Sequence, residues 1–355
     1  MGSVEEQINE IVKEIRETPY NKATQLHIGR LKAKLAKLRE EAVRSTAKKG
    51  SGYSPKKAGD ATCVLVGFPS VGKSTLLNVL TNAKSLVGAY DFTTLNVIPG
   101  SMAHKGAHIQ IFDVPGLVSG AVSGKGRGKE VISVVRNADL ILLVIDVFSE
   151  YQIQILKEEL YDAGIRLNEQ PPNATITKRA RGGITINKTL HSELDDNIIK
   201  AILREYKIHN ADVILREDMP VERFIDALMT NRRYLPSITV VNKIDQLDDD
   251  LQFGDIGIAA KENTNIDKLK DLMFERLAFI RIYMKPPGRN PDRLNPLILR
   301  RNATVEDVCS ILHRDFYRKF KYAQIWGKSV RFPGQRVGTD HVLCDEDIVT
   351  LNIQK

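Results

Sequence analysis

Nine residues, Gly67-Phe-Pro-Ser-Val-Gly-Lys-Ser-Thr75, have the types and spacing to hold a chain of phosphates. Gly67 and Gly72 let the backbone curl so that successive N–H groups converge on phosphate oxygens. Pro69, Ser70, Val71 and Thr75 complete the cradle. The apolar run Ala61–Val66 precedes the loop and a helical run opens at Leu76. A strand therefore delivers the loop, and a helix N-terminus adds its partial positive charge. Lys73 is placed to reach the β- and γ-phosphates, and the Ser74 hydroxyl to hold magnesium.

A second set follows another strand. Ile238–Val241 is β-branched or Thr throughout and leads into Asn242-Lys243-Ile244-Asp245. The forked carboxylate of Asp245 accepts two adjacent donors, which guanine presents and adenine does not. Asn242 is expected to tie this strand end to the phosphate loop, and Lys243 to lay its stem over the base. The run Ile256–Lys261 ends a further strand; Ala259, Ala260 and Lys261 line the base, with the Ala260 N–H assigned to the guanine carbonyl.

The third set is the switch. Ile109–Gly116 reads as a strand ending in Asp113-Val-Pro-Gly116. Asp113 is the acidic magnesium holder, and the Gly116 N–H is expected to meet the γ-phosphate. Upstream, Tyr90–Gly100 carries Thr93 and Thr94; Thr94 is assigned to the magnesium shell and to γ-phosphate sensing, with Thr93 as the alternative. Lys73, Thr94 and Gly116 form the expected catalytic set. Loss of the γ-phosphate would release both segments. Leu117 stands where a water-orienting Gln often sits and cannot position water, so intrinsic hydrolysis is expected to be slow. A monovalent cation, Arg127 or a partner are the candidate substitutes. The glycine-rich run from Gly116 to Lys129 reads as a second switch.

The elements that must position these groups follow from patterning. Of 355 residues, 42% are hydrophobic, enough for two or three domains with cores. Three scattered cysteines lack ligand spacing and read as reduced thiols. The Met1-Gly-Ser-Val-Glu-Glu start is acidic and helical rather than a leader, and the longest apolar run, Leu140–Phe148, holds Asp146 and is too short to span a bilayer. A cytoplasmic protein with no membrane partner is expected. The formal charge of +8 suits an anionic partner such as RNA.

Val4, Ile8, Ile11 and Ile15, then Leu31, Leu35 and Leu38, predict two paired helices over 4–17 and 22–48, broken at Thr18-Pro19. Arg30, Lys32, Lys34, Lys37 and Arg39 make the second helix basic: either a phosphate-backbone contact or a solvated charged face. The hairpin and a basic linker occupy residues 1–59. Strand–helix alternation from residue 60 to 285 predicts a mostly parallel sheet. The stretch from Asp146 to Asn242 is too long for one crossover, so a small α+β domain is inserted at about 165–235, with strands at Ala174–Lys178 and Gly183–Asn187 and helices at Asp196–Tyr206 and Val221–Met229. Lys178, Arg179 and Arg181 form a basic patch at its turn. Lys285-Pro-Pro-Gly marks a boundary. Residues 286–355 then read as strand 296–299, helix 305–314 and short strands at 322–326, 329–331, 341–344 and 348–353, a β-grasp arrangement.

Taken together, Gly67–Thr75, Tyr90–Pro99, Asp113–Gly116 with Gly124–Gly128, and Asn242–Asp245 resemble the developmentally regulated GTP-binding proteins, a branch of the Obg/HflX GTPases. The order of helical hairpin, GTPase with insertion and C-terminal TGS domain also looks the same. The resemblance implies an α/β P-loop GTPase that binds GTP and GDP with magnesium. It also implies work with the ribosome or rRNA in translation, growth or stress control, alongside a small stabilising partner protein. Some relatives use potassium, with an Asn in the phosphate loop where this chain has Ser70. The competing readings are an RNA-binding scaffold whose nucleotide site turns over little, and a metal-delivery GTPase, which the lack of a His/Cys cluster disfavours.

Overall fold

The computed structural model describes residues 4–44, 59–81, 98–114, 128–247, 251–312 and 317–353. Helices α1 (Val4–Glu17) and α2 (Gln25–Arg44) come first. There follow β1 (Ala61–Val66), α3 (Lys73–Thr81), β2 (Ile98–His104), β3 (Ala107–Asp113), α4 (Gly128–Arg136), β4 (Leu140–Asp146) and α5 (Tyr151–Asp162). Next are β5 (Ile165–Leu167), β6 (Ala174–Lys178), β7 (Ile184–Lys188), α6 (Asp196–Glu205), β8 (Ala211–Leu215), α7 (Val221–Leu228) and β9 (Arg233–Leu235). Then β10 (Ser237–Asn242), a 3-10 turn (Ile244–Gln246), β11 (Ile256–Ile258) and α8 (Ile266–Arg276) lead to β12 (Phe279–Met284), β13 (Leu297–Arg300), α9 (Val305–Leu312), β14 (Phe320–Trp326), β15 (Gln335–Val337) and β16 (Ile348–Ile353). They group into two units, one holding α1, α2, the start of α4 to Ile132 and residues 157–235, the other β1–β3, residues 133–156 with β4, and the chain from Pro236 on.

In the second unit, a six-stranded sheet runs β11-β10-β4-β1-β3-β2, parallel except for β2. β1 and β10 are buried along their whole length, as the apolar runs Ala-Thr-Cys-Val-Leu-Val and Ser-Ile-Thr-Val-Val-Asn require of strands covered on both faces. The edge strand β2 holds Pro99, whose missing donor an edge tolerates. Gly100 keeps this strand close to α3, since a Cβ would lie 2.4 Å from Thr81 Cγ2 and force that side chain to shift. Cys63 lies buried on β1; burial first, and then the Asp139 charge, push its thiol far up, so it stays protonated.

The expected boundary at 285/286 falls inside a domain. β12 pairs antiparallel with β13 and parallel with β16, in a five-stranded sheet ordered β13-β12-β16-β14-β15. The C-terminal domain therefore begins at Phe279, and the Pro-Gly run is a loop within it. Two expected strands are absent. Residues 329–331 and 341–344 are turns and a single bridge at Val342, while the strand is β15. The buried Asp347 carboxylate explains both, accepting from the Ser329 N–H at 3.4 Å and the Cys344 N–H at 2.8 Å. Trp326 is half-buried, and Lys285 Nζ lies 4.2 Å from its ring centre.

In the other unit, α2 begins at Gln25 rather than at 22. Asn21 Oδ1 accepts from the Ala23 and Thr24 N–H groups, and Thr24 Oγ1 from the Asn21 N–H, a reciprocal cap on the turn that leads into the helix. α2 packs on α6 through small residues: Ala33 is fully buried, and a Cβ on Gly29 would lie 3.1 Å from Ile198 Cγ2. Its basic side divides. Lys32 and Arg39 pair with Glu222 and Asp162, while Arg30 and Lys34 stay exposed. A three-stranded sheet, β6-β8-β7, backs onto α6 and α7; its central strand β8 was not anticipated. β5 and β9 pair in parallel, bringing 165–167 beside 233–235. Of the basic turn residues, Arg179 pairs with Asp212, and Lys178 and Arg181 are exposed.

Candidate nucleotide site

The three motifs meet at the C-terminal ends of the parallel strands, where open α/β sheets bind ligands. β1 ends at Val66, and the chain turns through residues 67–72 into α3, which starts at Lys73. Only glycine fits at two points of this turn. A Cβ at Gly67 would lie 2.2 Å from the Val144 carbonyl oxygen, and Gly72 has φ of +94° with Asn242 Nδ2 2.3 Å from where a Cβ would stand. Ser70 also takes a positive φ, of 65°.

Lys73 Nζ donates to the Gly67 and Phe68 carbonyls at 2.9 and 2.7 Å, inside the loop it is expected to close over phosphate. Burial lowers its pKa, and the Asp113 charge opposes that shift without cancelling it. Ser74 Oγ donates to Asp113 Oδ2 at 2.6 Å, and Asp113 Oδ1 is buried with no partner among the described residues. A buried carboxylate oxygen with no partner is costly. Together with the Ser74 hydroxyl it is an all-oxygen donor set that fits a hard divalent cation.

Asn242 joins the two motifs as expected from its place at the end of β10. Its Nδ2 donates to the Val71 carbonyl at 2.9 Å. Its Oδ1 accepts from the Ala260 N–H at 3.1 Å, so the N–H assigned to the guanine carbonyl already has an internal partner. Ala259 and Ala260 are buried, and Lys261 is exposed. Asp245 sits exposed in the 3-10 turn and accepts no hydrogen bond among the described residues. Thr93, Thr94, Gly116, Leu117 and Arg127 lie outside the described residues.

One participant escaped the sequence reading. Lys243, at φ +66°, donates from Nζ to Asp146 Oδ2 at 2.5 Å. Burial pushes the Asp146 carboxyl up. The hydrogen bond from Lys243, the Phe148 N–H and the Lys243 charge outweigh that and hold it below the usual carboxylate range. Asp146 ends β4 directly opposite Asn242 in the parallel register. A carboxylate at the C-terminal end of an otherwise apolar strand was the available signal.

Among the described residues no group of three or more His, Cys, Asp or Glu is placed to hold a metal, and no helix is long and apolar enough to cross a membrane. The phosphate loop, the Asp113 strand end, the Asn-Lys-x-Asp turn and the C-terminal sheet define a P-loop GTPase with a TGS domain. Family comparison agrees: residues 62–178 match the 50S ribosome-binding GTPase family, 181–279 the C-terminal region of that domain, and 280–352 the TGS domain. An uncharacterised GTP-binding protein of Methanocaldococcus jannaschii is 54% identical, covering 99% of this chain and 93% of its own. Human developmentally-regulated GTP-binding protein 2 is 43% identical, covering 98% of each. The chain belongs to the developmentally regulated GTP-binding protein family. Among solved structures, the Schizosaccharomyces pombe YchF GTPase overlays 85% of this chain and 100% of its own at 16% identity, with a TM-score of 0.44.

Proposed function

We propose that this GTP-binding protein is a slow GTP-hydrolysing switch that acts on the ribosome or its RNA, in the cytoplasm, in the control of growth or stress. The observation that carries the switch is the Ser74–Asp113 pair with its buried, unpartnered carboxylate oxygen. Magnesium held by Ser74 and Asp113, with Thr94 completing the shell, would supply charge neutralisation for the phosphates. The chain's own groups do the rest. Lys73 exchanges its two loop carbonyls for phosphate oxygens, and the N–H groups from Gly67 through Pro69-flanked Ser70 and Val71 to Gly72, Ser74 and Thr75 cradle them. Gly116 donates its N–H to the γ-phosphate. Asp245 reads guanine, Lys243 covers the base from its tether on Asp146, and Asn242, Ala259, Ala260 and Lys261 line it. Leu117 has no group to orient water, so turnover rests on a partner, Arg127 or potassium.

The ribosomal part rests on the matched family being described as ribosome-binding and on the net charge of +8. It predicts co-sedimentation with ribosomes at near-physiological salt in the presence of a non-hydrolysable GTP analogue and not with GDP, helped by a small stabilising partner protein. Salt-sensitive RNA binding that is equal in both nucleotide states and without turnover would replace the switch by a scaffold.

A further inference from the structure

One buried cluster of the helical unit holds more cations than carboxylates. Two guanidiniums, Arg166 and Arg232, share one carboxylate. Arg166 donates through Nε and Nη2 to Asp226 at 2.5 and 2.8 Å, and Arg232 through Nε at 2.6 Å. The three side chains are only 2%, 9% and 5% exposed for Arg166, Arg232 and Asp226. A buried charge is costly unless it is countered, and this triad keeps one positive charge in excess.

The neighbouring ionised groups do not counter it. Lys32 of α2 pairs with Glu222 of α7, and Arg39 of α2 donates to both oxygens of Asp162, each at 2.6 Å. Four cations thus face three carboxylates around one cavity of about 180 Å³. Glu40, Glu158, Glu159 and Glu205, which also act on this corner, do not line it. The two arginines differ in what they have left to give. Arg166 uses Nη1 on the Tyr161 carbonyl at 2.7 Å and lies over the Tyr161 ring at 3.5 Å. Arg232 makes no bond through Nη1 or Nη2 among the described residues. A nine-tenths buried guanidinium with an open fork lines the cavity, whose other wall is Leu35, Ala36 and Ile225.

We propose that this cavity binds a small oxyanion, a phosphate or a short-chain carboxylate, on the free fork of Arg232. A planar fork matches such oxygens bidentately, and the anion restores the missing negative charge. The apolar wall accommodates a short carbon chain. Pockets for drug-sized ligands run from roughly 300 Å³ upward, so a second nucleotide does not fit. The anion would join α2 to α7 and β5, the elements whose ion pairs already ring the cavity.

The test uses the full chain saturated with GDP, so that the phosphate loop is filled and cannot report phosphate. Sodium phosphate and sodium propionate are titrated calorimetrically at constant ionic strength, with chloride as reference. We expect saturable binding at about millimolar Kd or tighter, weakened about tenfold or more by Arg232→Gln and less by Arg232→Lys, which keeps the charge and loses the fork. Arg232→Gln leaves Arg166 and Asp226 as a neutral pair, so the variant folds. The anion should raise the melting temperature of the wild type and not of that variant. Saturation by phosphate alone, by propionate alone or by both supports the site and assigns its preference. No saturable heat with either anion, or equal affinity in wild type and Arg232→Gln, overturns it.

Discussion

At the nucleotide end of the six-stranded sheet, Lys73 and Asn242 are held by backbone groups and Ser74 by Asp113, and one buried carboxylate oxygen of Asp113 is left with nothing to accept among the described residues. In the helical unit, Arg166, Arg232 and Asp226 are held by each other, and what is left over is positive charge on a guanidinium fork. Both clusters are buried and both are incomplete, with opposite sign. The difference matches the ligands proposed for them: a cation beside the phosphates for the carboxylate, and a small anion in a separate cavity for the guanidinium. It also separates what each cluster does for the fold. The first can lose a member and leave the sheet standing, because the sheet's apolar core holds the strands. The second ties β5, α7 and the segment before β9 together through the charges themselves.

The strongest way to break this comparison is Asp226→Ala. It leaves two buried guanidiniums without a carboxylate and should destabilise the chain by about 3–5 kcal/mol in calorimetric melts, while GDP affinity of the folded fraction stays within about twofold. Lys73→Ala should do the reverse. GTP and GDP affinity should fall on the order of 100-fold in fluorescent-nucleotide titrations, with nucleotide-free stability changed by less than about 1 kcal/mol. A pH series sharpens this. Burial holds the free-protein Lys73 ammonium below the ordinary lysine value of 10.5, and bound phosphate favours its protonated form. Affinity is therefore complete below the free-protein pKa and falls as pH rises through it; Lys73→Ala should show no such fall. The smallest expected effect is that of Asp146→Asn. Loosening the Lys243 tether should weaken GDP binding by about threefold to tenfold and leave the melting temperature near that of the wild type. A nucleotide affinity unmoved by Asp146→Asn would return that contact to a purely structural role.

The phosphate loop was readable because its demands are local. Gly67 and Gly72 are there for close approach and for positive φ, and both needs are written in residue type. Asp113 and Asn242 were readable because each closes an apolar strand. Asp146 was not, since its partner Lys243 lies far away in sequence and meets it only through the parallel pairing of β4 with β10. The C-terminal boundary was misplaced for a comparable reason. Helix α8 ends at Arg276, and two residues on Ala278 takes φ of +54° without being a glycine, so the true break carries no punctuation, while Lys285-Pro-Pro-Gly carries it inside the domain. The Arg166–Asp226–Arg232 cluster joins β5, α7 and the segment before β9, and nothing in the spacing of three charged residues announces a shared carboxylate.

The proposed switch depends first on the Asn-Lys-x-Asp turn reading guanine at a hydrolytic site. Its most direct test is hydrolysis of GTP and of xanthosine triphosphate by the wild type and by Asp245→Asn. An Asn amide can donate to the carbonyl that xanthine carries in place of the guanine amino group. The variant should lose GTP affinity by about 10³-fold or more and gain preference for xanthosine triphosphate. An Asp245→Asn protein that still prefers GTP as the wild type does would contradict it.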